Sequence, residues 1–236
     1  YYSWHAHSRT YLDRLMQFLP KRDRSAVQEN ENGNTHMDKK PSFGKRLSSV
    51  SSILITDIDN TLVGDDESMQ ALFDILLQNQ QKMAWGVATG RSLELTLEAM
   101  TEYNFPTPDV LICSVGTEIY YGPDFRLDKG WQTHLSYLWK PEEIKSALSE
   151  FEFLIFQEAE GQRSHKISYY LEEKEDRLER INRKLREMKL RCQVIYSHGQ
   201  FLDILPVRAS KGKAVEYIQS KYEFSPLNVM VAGDSG

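Results

Sequence analysis

The sequence predicts an α/β fold: a Rossmann-like parallel sheet with an inserted second α/β layer. Three observations lead there. From Ser51 onward, short apolar runs alternate with segments of helical spacing. Several of those runs end in Asp, Thr, Gly or Ser, the residues that open loops. A stretch over about 122–205 breaks the alternation, which then resumes.

The elements follow in order. Residues 1–20 have helical spacing through Trp4, Tyr11, Leu12, Leu15, Phe18 and Leu19, with Ser3 placed to cap. Residues 21–50 are polar, carry charges of alternating sign and show no period, so they predict a flexible linker. The domain proper is then 51–236. Ser52–Thr56 is a buried strand, Ser68–Gln81 a helix, Met83–Ala88 a strand, Leu93–Tyr103 a helix and Asp109–Cys113 a strand. Glu118–Tyr121, Phe151–Phe156, Lys166–Leu171, Arg191–Tyr196 and Phe201–Leu205 are further strands. Pro141–Ser149 and Glu173–Lys189 are helices between them. The latter is highly charged, with Leu178, Ile181, Leu185 and Met188 on one stripe. Helix Lys211–Tyr222 and strand Leu227–Ala232 return to the first pattern.

Composition bounds the function. Hydrophobic residues at 40% and charged residues at 27% allow a packed core. A net charge of −5 argues against nucleic-acid or anionic-membrane partners, which favour basic surfaces. No apolar run approaches the roughly 18 residues of a membrane span. The two cysteines, Cys113 and Cys192, lie in separate strands without CxxC spacing, which points to a reducing cytoplasm rather than a disulfide or zinc framework.

Four short segments carry chemistry. Asp57 and Asp59 lie two apart at a strand end, so an extended backbone projects both to one side. Like charges this close need a cation or a shared proton, and Mg2+ held by carboxylates and a phosphate oxygen answers that need. The plainer alternative is a strand end with turn-forming Asp and Asn. Thr89-Gly90-Arg91-Ser92 follows a strand and opens a helix, which suits an anion; an ordinary turn capped by Ser92 is the alternative. Lys211 sits at a helix N-terminus after Ser210, where a cation opposes the macrodipole unless an anion faces it; a solvated Lys in a polar turn is the alternative, and Ser210 as N-cap serves either. Gly233-Asp234 ends a strand, and Asp234 can complete a cation site or simply turn the chain.

Together, DxDNT, TGR, SKG and GDSG in this order resemble the haloacid dehalogenase superfamily of phosphohydrolases over roughly Ser51–Gly236. The runs Asp57–Asp66 (DIDNTLVGDD), Ser114–Tyr121 (SVGTEIYY), Lys166–Leu171 (KISYYL) and Leu202–Gly212 (LDILPVRASKG) are similar to sucrose-phosphate phosphatases. They are more similar still to the phosphatase-type domain at the C-terminus of bacterial sucrose-phosphate synthases. The opening Tyr1–Leu12 resembles the last helix of the synthase's glycosyltransferase portion. The chain therefore reads as a fragment: terminal helix of an upstream glycosyltransferase domain, tether, and phosphatase-like domain with a cap over about 122–205.

The resemblance implies residue roles. Asp57 is the nucleophile that forms an aspartyl-phosphate, and Asp59 the general acid and base. Thr89 binds the phosphoryl group and Lys211 neutralises charge. Mg2+ is held by Asp57, the Asp59 carbonyl and Asp234. Gly90 and Arg91 join the substrate site. The cap supplies sugar recognition, with Glu118, Gln162 and Lys166 as the binding set and Gln157, Tyr169 and His198 as further candidates. Trp131 and Trp139 pack its junction. The implied reaction is hydrolysis of sucrose 6-phosphate in sucrose biosynthesis, in a parent chain that transfers glucose from a nucleotide sugar to fructose 6-phosphate. A non-catalytic, sugar-phosphate-binding regulatory domain is the alternative.

Overall fold

A computed structural model describes residues 44–172, 174 and 176–233. The expected helix at 1–20, most of the linker, and Asp234 lie outside the described residues.

The first sheet has the order β10-β1-β2-β3-β4-β5. Its strands β1 (Ser52–Thr56), β2 (Met83–Ala88), β3 (Val110–Cys113) and β10 (Val229–Ala232) run parallel. Strands β4 (Glu118–Tyr121) and β5 (Arg126–Leu127) return antiparallel. The chain moves outward from β1 through β2 and β3, and β10 then joins the other side of β1. Connections therefore diverge at the carboxyl end of β1, which is where such sheets bind ligands.

Alternation along β1 explains the layering. Ile53 and Ile55 face one core with Leu205, Ala214 and Ile218, while Leu54 faces another with Phe73, Trp85 and Leu111. Helices α1 (Asp66–Gln78) and α2 (Leu93–Glu102) cover the second face, and α6 (Lys211–Lys221) the first. Side-chain caps define their starts: Asp65 accepts from the Ser68 N–H, Ser92 from Leu95 and Ser210 from Lys213.

The second sheet is antiparallel, in the order β6-β7-β9-β8. It comprises β6 (Ile155–Phe156), β7 (Ile167–Tyr170), β8 (Cys192–Ser197) and β9 (Phe201–Pro206). Helices α4 (Pro141–Leu148) and α5 (Arg177–Glu187) pack on it through Ile144, Leu148, Ile181 and Leu185. On the stripe expected in α5, Ile181 and Leu185 are buried and Met188 is exposed.

The structure departs from the sequence reading at four places. Residues 44–50, expected as the end of the linker, fold onto the first sheet: Leu47 is buried, and Arg46 pairs with Asp109. Within 122–205, β5 and a further helix, α3 (Lys129–Leu135), pack with the first sheet rather than the second. The apolar run Phe151–Leu154 is a turn, because the Phe153 ring lies under Arg177 and Arg180 instead of continuing β6. Trp131, expected at the cap junction, lies in the first core, with Nε1–H donating to the Gly116 carbonyl. Trp139 donates to the Ser164 carbonyl, 2.9 Å away.

Candidate active site

Asp57 follows β1 directly. Its N–H donates to the Ala232 carbonyl at 2.8 Å, which fixes the end of β10 beside it. Its side chain is nearly buried. Oδ1 accepts from the Ile58 N–H at 2.8 Å, and Oδ2 accepts from the Lys211 ammonium. Lys211 is the first residue of α6, a costly place for a cation. Asp57 is the anion that offsets it.

Asp59 lies on the same turn. Its carboxylate takes a two-pronged contact from Arg91, with Nε at 3.1 Å from Oδ2 and Nη2 at 2.6 Å from Oδ1. These hydrogen bonds hold the Asp59 carboxyl below its ordinary value, outweighing its partial burial; the charges of Arg91, Lys211 and His198 act in the same direction. The same pairing keeps Arg91 protonated.

Thr89 is fully buried at the end of β2. Its Oγ1 accepts from the Arg91 N–H at 3.1 Å, so the hydroxyl proton remains available to an incoming oxygen. Gly90 has open space where a side chain would stand, apart from a distant Val115 methyl. Asp57 with Lys211 and Asp59 with Arg91 thus form two direct pairs, the Lys211 charge is felt at Asp59, and Thr89 adjoins the second pair through Arg91.

The expected sugar-binding residues divide differently. Glu118 Oε2 accepts from Ser114 Oγ at 2.9 Å and lies 3.5 Å from Arg163 Nε. Lys166 pairs with Asp203 at 3.3 Å. The Gln162 amide is engaged at both ends: it donates to the Gln157 and Ser168 carbonyls and accepts from the Ser168 N–H. Gln157 donates to the Tyr169 carbonyl, and burial pushes the Tyr169 hydroxyl up to about 12. His198 lies in the β8–β9 turn, and its charge is felt at Asp59. Sequence reasoning missed Arg163, which the second part of the chain extends to Glu94 at 2.8 Å as well as to Glu118. An Arg in a polar loop gives no local signal of such partners.

The donor set suits a hard cation. Among the described residues each Asp57 oxygen has one protein partner and keeps another lone pair, and carboxylate oxygen is what Mg2+ prefers. Thr61 Oγ1, four residues from Asp57, is buried without a hydrogen-bond partner among the described residues. Among the described residues, no group of three or more His, Cys, Asp or Glu is gathered to hold a metal. The cysteines carry none of the chemistry: burial pushes the Cys113 thiol up to about 12 and Cys192 to about 11, so both stay protonated.

Comparison with known proteins decides the family. The model for sucrose-6F-phosphate phosphohydrolase matches residues 50–236. The chain belongs to that family. Its fold is shared with a haloacid dehalogenase-like hydrolase of Bacillus subtilis, 20% identical, with a TM-score of 0.59 and 80% of this chain and 77% of that chain covered. Sucrose-phosphatase 1 of Nicotiana tabacum is 36% identical over 194 residues, covering 78% of this chain and 46% of the relative. Mannosylfructose-phosphate phosphatase of Agrobacterium fabrum is 26% identical over 187 residues, covering 78% of this chain and 75% of the relative. Among solved structures, the sucrose-phosphatase of Synechocystis sp. PCC6803, in complex with sucrose and phosphate, superposes with a TM-score of 0.72. It is 33% identical, with 78% of this chain and 76% of that chain covered. The chain spans about half the length of the plant sucrose-phosphatases it matches. Among the described residues, no helix is long and apolar enough to cross a membrane.

Proposed function

We propose that this chain is a phosphohydrolase domain that cleaves sucrose 6-phosphate to sucrose and inorganic phosphate. The observation that carries the reading is the pairing of Lys211 with the buried Asp57, beside an Asp59 already held by Arg91. A binding module has no need of two carboxylates, each aligned by a cation.

The residues divide the work. Asp57 attacks phosphorus, the bond to the sugar oxygen breaks, and that oxygen takes a proton from Asp59. Lys211 and the Thr89 hydroxyl stabilise charge on the phosphoryl oxygens. Asp59, now ionised, takes a proton from water, which displaces Asp57 from phosphorus and frees phosphate. Before the first proton transfer Asp59 must be released by Arg91 and must take up a proton, from solvent or from the entering phosphate monoester, and the entering phosphate offers the guanidinium an alternative anion. Phosphatases of this superfamily generally use Mg2+. Here Asp57, the Asp59 carbonyl and Asp234 would hold it, and it would supply positive charge facing the phosphoryl group.

The second sheet and its helices serve as the cap, which supports sugar recognition by Lys166, with Gln162 and His198 as further candidates; Glu118 is already engaged by Ser114 and Arg163. Parentage in a sucrose-phosphate synthase chain is supported by the resemblance of Tyr1–Leu12 to the end of a glycosyltransferase portion. On this reading the upstream domain is the partner.

The test is phosphate release with Mg2+ from sucrose 6-phosphate, mannosylfructose phosphate, trehalose 6-phosphate and glucose 6-phosphate. Unsubstituted protein and Asp57→Asn are compared. Release from sucrose 6-phosphate, lost in Asp57→Asn, is expected. Binding without release would support the regulatory reading instead.

A further inference from the structure

The turn after β3 is backbone under constraint. Ser114, Val115 and Gly116 have φ of 52°, 60° and 88°, three successive left-handed residues. A β-branched residue such as Val115 adopts this region only when its surroundings hold it there.

Those surroundings are the site itself. The Ser114 N–H donates to the Arg91 carbonyl at 2.7 Å, and the Val115 N–H to the Thr89 carbonyl at 3.2 Å. Gly116 lies against the start of α6: a Cβ there would come within 2.5 Å of Lys211 N and nearer still to the Ser210 carbonyl. One three-residue turn therefore touches the loop that carries Thr89 and the helix end that carries Lys211. The two groups come from separate elements and must meet at one phosphoryl group.

The turn is in turn gripped from outside. Ser114 Oγ donates to Glu118 Oε2, and the same oxygen faces Arg163. Arg163 belongs to the loop before β7, so it comes from the second sheet's side of the molecule. Its guanidinium has few degrees of freedom left. It donates to Glu94 on α2 and to the carbonyls of Glu160 and Gln162, and the side chain is only 19% exposed.

We propose that the Ser114–Gly116 turn is the positioning element that sets Thr89 and Lys211 relative to each other, and that Arg163 holds it in place through Glu118. Seating of the second sheet's loop on the first sheet is thereby coupled to assembly of the phosphate cradle. Glu118 and Arg163 are positioning residues that touch neither phosphate nor sugar. The inference rests on the phosphohydrolase reading above.

The test uses the full chain with Glu118→Gln, Arg163→Gln, the double variant and Arg163→Lys. Two esters are compared: sucrose 6-phosphate, and p-nitrophenyl phosphate, which has no sugar. Positioning predicts a fall in kcat of about tenfold to a hundredfold for both esters alike, with KM little changed. The double variant should be no worse than the singles, and Arg163→Lys should recover part of the loss. Amide exchange at Ser114 and Val115 should accelerate in the Gln variants. A loss confined to the sugar ester, or seen only in KM, would overturn the inference in favour of direct sugar contact. Unchanged amide exchange would overturn it as well. If the unsubstituted chain hydrolyses neither ester, the phosphohydrolase reading fails, while the exchange measurement still decides whether Arg163 and Glu118 set the turn.

Discussion

The ammonium of Lys211 donates to Oδ2 of Asp57 across 154 positions of sequence. The chain between them includes the whole second sheet. Lys211→Met is predicted to lower phosphate release from sucrose 6-phosphate by about 10²–10³-fold, as loss of a preorganised charge at a developing anion does. Lys211→Arg should recover little, because a guanidinium is larger and forked where the site takes a point charge. Steady-state kinetics decide it. Wild-type turnover in Lys211→Met would remove Lys211 from the chemistry.

Arg91 holds Asp59 by the fork geometry that favours the ionised carboxylate. Removing the fork removes the largest cause of the lowered value. In Arg91→Gln the titration midpoint of the Asp59 carboxyl carbon, followed by 13C resonance, is therefore predicted to move up. KM for the phosphoester is predicted to rise about tenfold, the usual worth of a charged hydrogen bond. A midpoint that stays put would mean that Arg91 does not govern Asp59.

Lys211 was legible in the sequence because a cation at a helix start demands an explanation, and Asp57 with Asp59 because paired carboxylates demand another. The parallel strands were legible as apolar runs, since both faces of the first sheet are buried. Strand β5 and helix α3 escaped notice because two and seven residues are too short to show a period. The turn at Phe151–Leu154 misled because aromatic residues favour strands unless other partners claim them. Arg163 was illegible for a deeper reason: Glu94 and Glu118 reach it only through the meeting of two sheets, and no local pattern encodes that meeting.

Asp128 and Lys221 form a second long-range pair, at 2.7 Å, at the opposite end of α6 from Lys211. Asp128 also accepts from the Trp131 N–H, capping α3, and from the Tyr121 hydroxyl. Burial pushes its carboxyl up, but the hydrogen bonds from Lys221, the Trp131 N–H and Tyr121 override that and leave it below its ordinary value. Lys221→Met is predicted to cost about 3 kcal/mol by leaving a buried carboxylate without its cation. Adding Asp128→Asn should restore part of the loss, since the amide oxygen still caps α3 without a charge to bury. Denaturant midpoints of the two variants test this; a double variant less stable than Lys221→Met would contradict it.

His165 joins the two parts of the chain at a buried contact. Its Nδ1 lies 2.9 Å from Gln132 Oε1 and its Nε2 2.9 Å from Ser136 Oγ, both on or beside α3. The Gln132 amide nitrogen is committed to the Thr117 carbonyl at 2.7 Å, so its oxygen must face the ring and accept the Nδ1 proton. The Ser136 hydroxyl also lies 2.9 Å from the Gln132 carbonyl, which competes with Nε2 for its one proton; with the ring neutral and its proton on Nδ1, that hydroxyl proton goes to Nε2. Burial lowers the His165 value, in keeping with that tautomer. The unfolded chain takes up the proton at about pH 6.5, and the folded chain only at lower pH. In that window the unfolded state binds more protons, so stability rises with pH. The contribution is complete above about pH 6.5 and is lost progressively below it. His165→Gln should flatten the fall in denaturant midpoint between about pH 7 and pH 5.5. An equally steep fall in the variant would assign the pH dependence to other groups.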